Sequence, residues 1–352
     1  MSATRSVLDL DDVERLTAAD REGLLRAVSM AGAHVRATAA AVEEGALESV
    51  AGSRPRTVIW VAGRGTAATA GSLLAALLGT AAAQPFVVAS GAPPWIGPLD
   101  VLVLAGDDAG DPALTGAAAT AVRRGARVVV VAPYEGPLRD ATAGRAAVLS
   151  PRLPTHDAYG LSRYLAAGLA SVAAVDDALH VDVAALADEL DAEALRSSAS
   201  RELFTNPAKA LAERMIGRRV VLTADSAAPL ALAHHGSAIL LRIASEPAAA
   251  ACLADALVGL RSAPVADPVD SLFHDEQIDG PSPERFRVLV LTLNPERPVV
   301  AARVAGHPDV DIIGAEDVPD ATSVGVGSAE QQLGVLAVRL EMAAVYLRLV
   351  RG

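Results

Sequence analysis

A glycine turn is the first feature of this chain suited to chemistry. Gly63-Arg64-Gly65-Thr66 follows the β-branched and aromatic run Val58, Ile59, Trp60 and Val61, and it precedes a stretch rich in Ala and Leu. Strand, glycine turn and helix together make an anion-binding element. Glycines let the backbone approach a ligand, and a helix N-terminus directs free N–H groups and partial positive charge at it. Arg64 would add a cation and Thr66 a hydroxyl. Gly63-x-Gly65-x-x-Ala68 also fits a variant of the dinucleotide fingerprint, which needs an acid about 20 positions on for the ribose. Val88, Ala89, Ser90 and Gly91 stand there instead, so a dinucleotide is disfavoured.

Titratable residues come next. His274 lies in LFHDEQIDG beside Asp275, Glu276 and Asp279. These acids lack the regular spacing of a cation loop and read as a solvated surface, so no metal is expected. His234 and His235 are adjacent on a predicted helix and point about 100° apart, which prevents chelation of one ion. They read as satisfied or surface histidines. Glu246 stands in RIASEPAAAA. Asp107, Asp108 and Asp111 crowd the approach to a helix predicted from about residue 112, where acids suit the helix start. Cys252 is the only cysteine and reads as a core thiol, so neither a disulfide nor a thiol-rich zinc site is available.

Composition narrows the classes. The 352 residues carry 42 acidic and 30 basic side chains, a net charge of −12. That balance disfavours nucleic acid and anionic membrane as partners. Aromatics are 3% of the chain, too few for base-stacking platforms. No stretch reaches about 18 consecutive apolar residues, and the acidic N-terminus has no apolar run. A cytoplasmic protein without cofactor is expected.

The elements that must position these residues alternate. Apolar strands are predicted at 58–62, 85–89, 100–105, 126–132 and 145–149, with helices at 66–79 and about 112–124. Apolar strands alternating with helices imply parallel sheets buried on both faces. A helical block covers 157–217, with Asn206 as N-cap, Pro207 at the first position and Gly217 as stop. Alternation restarts with a strand at 218–225, a helix to 244, and strands near 249–253, 285–293 and 309–316. A long apolar helix at 328–350 could pack on a partner. The expected fold is α/β: two doubly wound parallel-sheet domains, three-layer α/β/α, with a helical linker and a C-terminal helix. The boundaries read 1–50 for a helical lead-in, 51–160 for the first domain, 161–217 for linking helices and 218–352 for the second domain. Residues 261–285 form a Pro- and Asp-rich loop, and long loops in compact domains often carry function.

Several segments in this order resemble the SIS (sugar isomerase) family, most closely its two-domain phosphoglucose/phosphomannose isomerases. LDDVERLTAADREGLLRAV looks like their N-terminal helix. VAGRGTAATAGSLLAALL sits at their glycine-serine turn. PPWIGPLDVLVLAG resembles their approach to the next strand. LFHDEQIDG is similar to their L-N-H-N-E-I-V-G segment, and GVLAVRLEMAAVYLRLVRG to their last helix. The resemblance implies aldose–ketose isomerisation of a sugar phosphate through an enediol. His274 would match the ring-opening histidine, Glu246 the base, and Gly63, Arg64, Gly65 and Thr66 the first substrate-binding turn. It also implies a homodimer.

The sequence departs from the family where the phosphate is held. The hydroxyl-rich second turn, S-Y-S-G-N-T-E-E in the family, reads Leu104-Ala105-Gly106-Asp107-Asp108-Ala109-Gly110-Asp111 here. The third turn reads Ala132-Pro133-Tyr134-Glu135. The family's Q-P-R arginine falls near Pro154-Thr155-His156-Asp157, leaving Arg64 as the evident cation. Carboxylates beside a phosphate dianion repel it. A second expectation follows: a SIS-fold protein without catalysis that senses sugar phosphates or serves an assembly.

Overall fold

The computed structural model describes residues 8–79, 81–262, 286–317 and 327–351. The first sheet has strands β1 (Thr57–Ala62), β2 (Phe86–Ala89), β3 (Asp100–Ala105), β4 (Arg127–Val131) and β5 (Ala147–Val148), in the order β2-β1-β3-β4-β5. All pairings are parallel, with Ile59 opposite Leu102 and Val61 opposite Leu104. β1 and β3 are buried along nearly their whole length because helices cover both faces. Val58 and Trp60 point to one apolar layer, and Ile59 and Val61 to the other.

Helices α1 (Val13–Ala19), α2 (Leu24–Ser29) and α3 (Ala31–Glu43) lead in, and α4 (Thr66–Leu78) follows β1. α5 (Pro112–Arg123) and α6 (Gly136–Thr142) cover the face opposite α4. The linking block is α7 (Leu161–Val175), α8 (Val183–Arg196) and α9 (Pro207–Met215). Asn206 caps α9 by accepting from the N–H groups of Ala208 and Lys209, and Gly217 takes a positive φ of 66° just beyond its end. Both match the expected start and stop.

The second sheet has β6 (Arg219–Ala224), β7 (Ala249–Cys252), β8 (Phe286–Leu291) and β9 (Val310–Ile313), in the order β7-β6-β8-β9 and again all parallel. Helix α10 (Ala227–Ala244) packs on one face. α11 (Leu253–Ser262) and α12 (Arg297–Val304) pack on the other. In each sheet the first strand lies second in order, so the chain reverses direction between β1 and β3 and again between β6 and β8. The fold is therefore two three-layer α/β/α units, as expected. Helices α6 and α11 were not expected.

The terminal helix α13 (Ala329–Arg351) is buried almost all round, against α10, α9, α8 and α2. The apolar surface that the sequence offered to a partner is thus covered by the chain itself. No helix among the described residues is long and apolar enough to cross a membrane.

Candidate functional site

Open α/β sheets bind ligands outside the carboxyl ends of their strands where the strand order reverses. In the first sheet that point lies between the Gly63–Thr66 turn after β1 and the Gly106–Asp111 turn after β3. The turns touch. A Cβ on Gly106 would lie 3.6 Å from the Cα of Gly63, and one on Gly63 would lie 2.9 Å from Asp111 Oδ2. Gly63 donates its N–H to the carbonyl of Ala105 over 2.7 Å. Gly65 has φ 84° and ψ −143°, a conformation open to glycine and strained for any other residue. The buried Trp60 ring fixes the helix above the turn by donating Nε1–H to the Ala67 carbonyl over 3.0 Å.

Thr66 opens α4 and is 3% exposed. Its Oγ1 has no hydrogen-bond partner among the described residues. It faces Gly160, where an added Cβ would stand 3.0 Å from that oxygen. Arg64 projects to solvent.

The buried cation of the site is Arg163, not Arg64. Arg163 lies in the first turn of α7 and is 4% exposed. Its Nη2 donates to Asp107 Oδ1 over 2.8 Å, and its guanidinium stacks on the Tyr164 ring with 4.2 Å to the centroid. The Tyr164 hydroxyl donates to the same oxygen over 2.5 Å. Nε and Nη1 of Arg163 are buried with no partner among the described residues. Burial pushes the Tyr164 hydroxyl above its ordinary value, and Arg163 opposes that rise. Burial holds His34, on α3, below its ordinary value, and the charge of Arg163 adds to the effect.

The other carboxylates cap backbone. Asp111 Oδ1 accepts from Ala113 N–H over 2.8 Å and starts α5, as expected, while Asp108 Oδ1 accepts from Gly110 N–H over 2.7 Å. The hydroxyl of Tyr159, one residue before Gly160 in the chain, is likewise buried with no partner among the described residues. Burial raises it well above the usual tyrosine range, and the charges of Glu341, Arg348, Asp20 and Glu22 also reach it.

Glu246 stands elsewhere. It follows Ser245, which ends α10 in the left-handed region at φ 53°, and it precedes β7 at the edge where the second sheet's strands begin. Its carboxylate is ion-paired with Arg351, three residues beyond Arg348 in the last turn of α13. Gly63, Gly65 and Thr66 therefore come together with Asp107, Asp111, Gly160 and Arg163, while Glu246 is tied to the C-terminal helix. His274, with Asp275, Glu276 and Asp279, lies outside the described residues. His235 is buried, with Nε2 2.9 Å from Glu341 Oε1, and His234 is exposed, consistent with satisfied and surface roles. No His, Cys, Asp and Glu cluster suited to a metal ion occurs among the described residues.

Sequence reasoning missed Arg163 and Tyr164. The signal was present: a lone arginine inside the apolar run YGLSRYLAAGLASVAAV must be buried, and a buried charge needs a partner.

No protein-family model matches the sequence, and no curated protein matches it. Solved structures do match. Tagatose-6-phosphate ketose/aldose isomerase from Escherichia coli is 16% identical at a TM-score of 0.60, over 96% of this chain and 94% of that one. The C-terminal domain of glucosamine-fructose-6-phosphate aminotransferase from Francisella tularensis is 11% identical at 0.58, over 94% and 96%. A glucose-6-phosphate isomerase like protein from Thermus thermophilus is 19% identical at 0.54, over 98% and 94%. At these identities the likeness establishes a shared fold: two SIS-type domains running nearly the full length of the chain.

Proposed function

We propose that this chain binds a sugar phosphate at the carboxyl ends of β1 and β3. The amides of the Gly63–Thr66 turn, the Thr66 hydroxyl and the Arg163 guanidinium would receive the anion. The observation that carries this reading is the set of buried orphans: Thr66 Oγ1 and Arg163 Nε and Nη1 lack partners at the point where such sheets bind ligands. A buried unpaired polar group costs about 1–3 kcal/mol. Three on adjoining elements are tolerated where a ligand satisfies them. The solved structures of the same fold named for phosphosugars support the ligand class.

Turnover is the finer reading. Isomerisation of the glucose 6-phosphate or mannose 6-phosphate type would use Glu246 as base and His274 to open the ring. A specific observation favours binding without turnover: the Glu246 carboxylate is ion-paired with Arg351 on the C-terminal helix and is not brought to the Gly63–Thr66 turn.

The test is calorimetric titration with fructose 6-phosphate and mannose 6-phosphate, beside an isomerase assay. Wild type is expected to bind, with at least tenfold weaker binding in Arg163→Met and in Thr66→Val. A ligand at about 100 times its Kd adds about 2.7 kcal/mol of stability, so thermal shift gives a second readout. Binding without turnover assigns a sensor. Turnover lost in Glu246→Gln assigns the isomerase. Absence of binding by any phosphosugar would sink both.

A further inference from the structure

The second sheet has its own reversal of strand order, between β6 and β8, and buried hydroxyls without partners stand there too. β6 is apolar from Val220 to Leu222 and then carries Thr223, its last residue but one. Thr223 is fully buried, and its Oγ1 has no partner among the described residues. The matching place in β1 holds Val61. Valine has the shape of threonine, so packing does not ask for the hydroxyl, and a buried hydroxyl without a partner costs stability. Ser226 is the N-cap of α10, yet its side chain makes no cap hydrogen bond and its Oγ is buried without a partner. Part of the reason is local. A cap hydroxyl accepts from the second or third N–H of the helix, and the third residue here is Pro229, which has none. The N–H groups of Ala227 and Ala228 have no intrahelical acceptor, as at any helix start. The charge also differs from the first sheet. Asp225, between Thr223 and Ser226, is ion-paired with Arg303 of α12, whereas Asp108 and Asp111 hold backbone N–H groups alone.

We propose that the second unit binds a phosphate group at the carboxyl end of β6, received by the Ser226 and Thr223 hydroxyls and by the N–H groups of Ala227 and Ala228. Each hydroxyl donates to a phosphate oxygen. The two amides add the donors and the partial positive charge of an 18-residue helix. Arg303 cancels the Asp225 charge that would otherwise repel the anion. The site lies on the other sheet from the Gly63–Thr66 turn and does not depend on the sugar-phosphate reading of that turn. Both hydroxyl oxygens are buried, so the group that reaches them is small: a free phosphate ion, or the terminal phosphate of a monoester that enters phosphate first.

The experiment is calorimetric titration of inorganic phosphate, at one ionic strength, into wild type, Ser226→Ala, Thr223→Val and Thr66→Val. Thr223→Val keeps the shape of the side chain and removes an unpaired hydroxyl, so folding is preserved. Wild type is expected to take two phosphates per chain, one on each sheet. Ser226→Ala and Thr223→Val are each expected to weaken one of them at least tenfold, and Thr66→Val the other. A single phosphate lost in Ser226→Ala but kept in Thr66→Val supports this site and counts against the first. A single phosphate lost only in Thr66→Val overturns the proposal and leaves the first site in place. Binding unchanged in both Ser226→Ala and Thr223→Val, or no binding at millimolar phosphate, also overturns it. Glucose 6-phosphate in a second series separates the two sources. Ester binding that is lost in Ser226→Ala assigns a terminal phosphate, and binding of inorganic phosphate alone assigns the free ion; either result supports the site.

Discussion

Thr66 and Gly160 meet at the corner where the first helix of the sheet passes the start of the linking block: a Cβ on Gly160 would stand 3.0 Å from Thr66 Oγ1 and 3.1 Å from Tyr164 Cε2. Gly160 has φ −84°, so the backbone accepts any residue there and the glycine serves close approach alone. Gly160→Ala is expected to cost about 1–3 kcal/mol through overpacking, less the few tenths that alanine recovers from a stiffer unfolded chain. Urea unfolding reads this as a lower midpoint at unchanged slope. A midpoint equal to wild type would mean that the corner is looser than the contact implies.

Thr66→Val tests the hydroxyl with the opposite sign. The residue is buried and its Oγ1 has no partner among the described residues, so the free protein bears a desolvation cost for it. Replacing an unpaired buried hydroxyl by an isosteric methyl is expected to leave stability unchanged or raise it by up to about 1 kcal/mol. The same change weakens any ligand that the hydroxyl receives. Loss of more than about 1 kcal/mol in the ligand-free variant would show that the hydroxyl is already satisfied.

The fold was legible because its cues are local. Val58, Ile59, Trp60 and Val61 are apolar on alternate faces, which only a sheet covered on both sides requires, and Asn206-Pro207 starts a helix by its own chemistry. α6 escaped because its seven residues hold one short apolar pair, and α11 because LADALVGLRS adjoins a turn-rich run. The site was half legible. The Gly65 conformation follows from the glycine itself. The role of Arg163 depends on Asp107, 56 positions away, and that of Glu246 on Arg351, 105 positions away. Neither pairing leaves a periodic trace, because both are made by tertiary packing.

A second buried arginine ties the C-terminal helix to the linking block and to the segment after β9. Arg339 on α13 donates Nε to Glu193 Oε1 on α8 over 2.8 Å, and its Nη groups donate to the carbonyls of Gly314 over 2.7 Å and Ala315 over 3.0 Å. Both side chains are almost fully buried. Arg339→Ala removes the more deeply buried of the two arginines paired with Glu193, which keeps Arg196 Nε at 3.1 Å and Ser197 Oγ at 3.3 Å. The loss is therefore expected at the low end of the about 3–5 kcal/mol that breaking a buried pair costs. Replacing both, as Arg339→Met with Glu193→Leu, is expected to recover most of that loss. Chemical unfolding of the three variants measures it. A double variant no more stable than Arg339→Ala would mean that the carbonyl contacts, rather than the ion pair, dominate.

His34 supplies a pH signature of the same region. Burial first, and then the charge of Arg163, hold its pKa below the ordinary histidine value. In the unfolded chain it titrates near about 6.5. Between that value and the lower folded one, the unfolded state binds a proton that the folded state does not. The histidine's contribution is therefore fully present above about pH 6.5 and is lost as pH falls toward the folded pKa, at no more than about 1.4 kcal/mol per pH unit. His34→Gln removes this proton. The stability difference between wild type and variant is expected to be flat from pH 7.5 to 8.5 and to shift against wild type between pH 6.5 and 5. Thermal unfolding across that range measures it. A difference that stays constant down to pH 5 would place the His34 titration at its unfolded value and remove Arg163 as a charge that the imidazole feels.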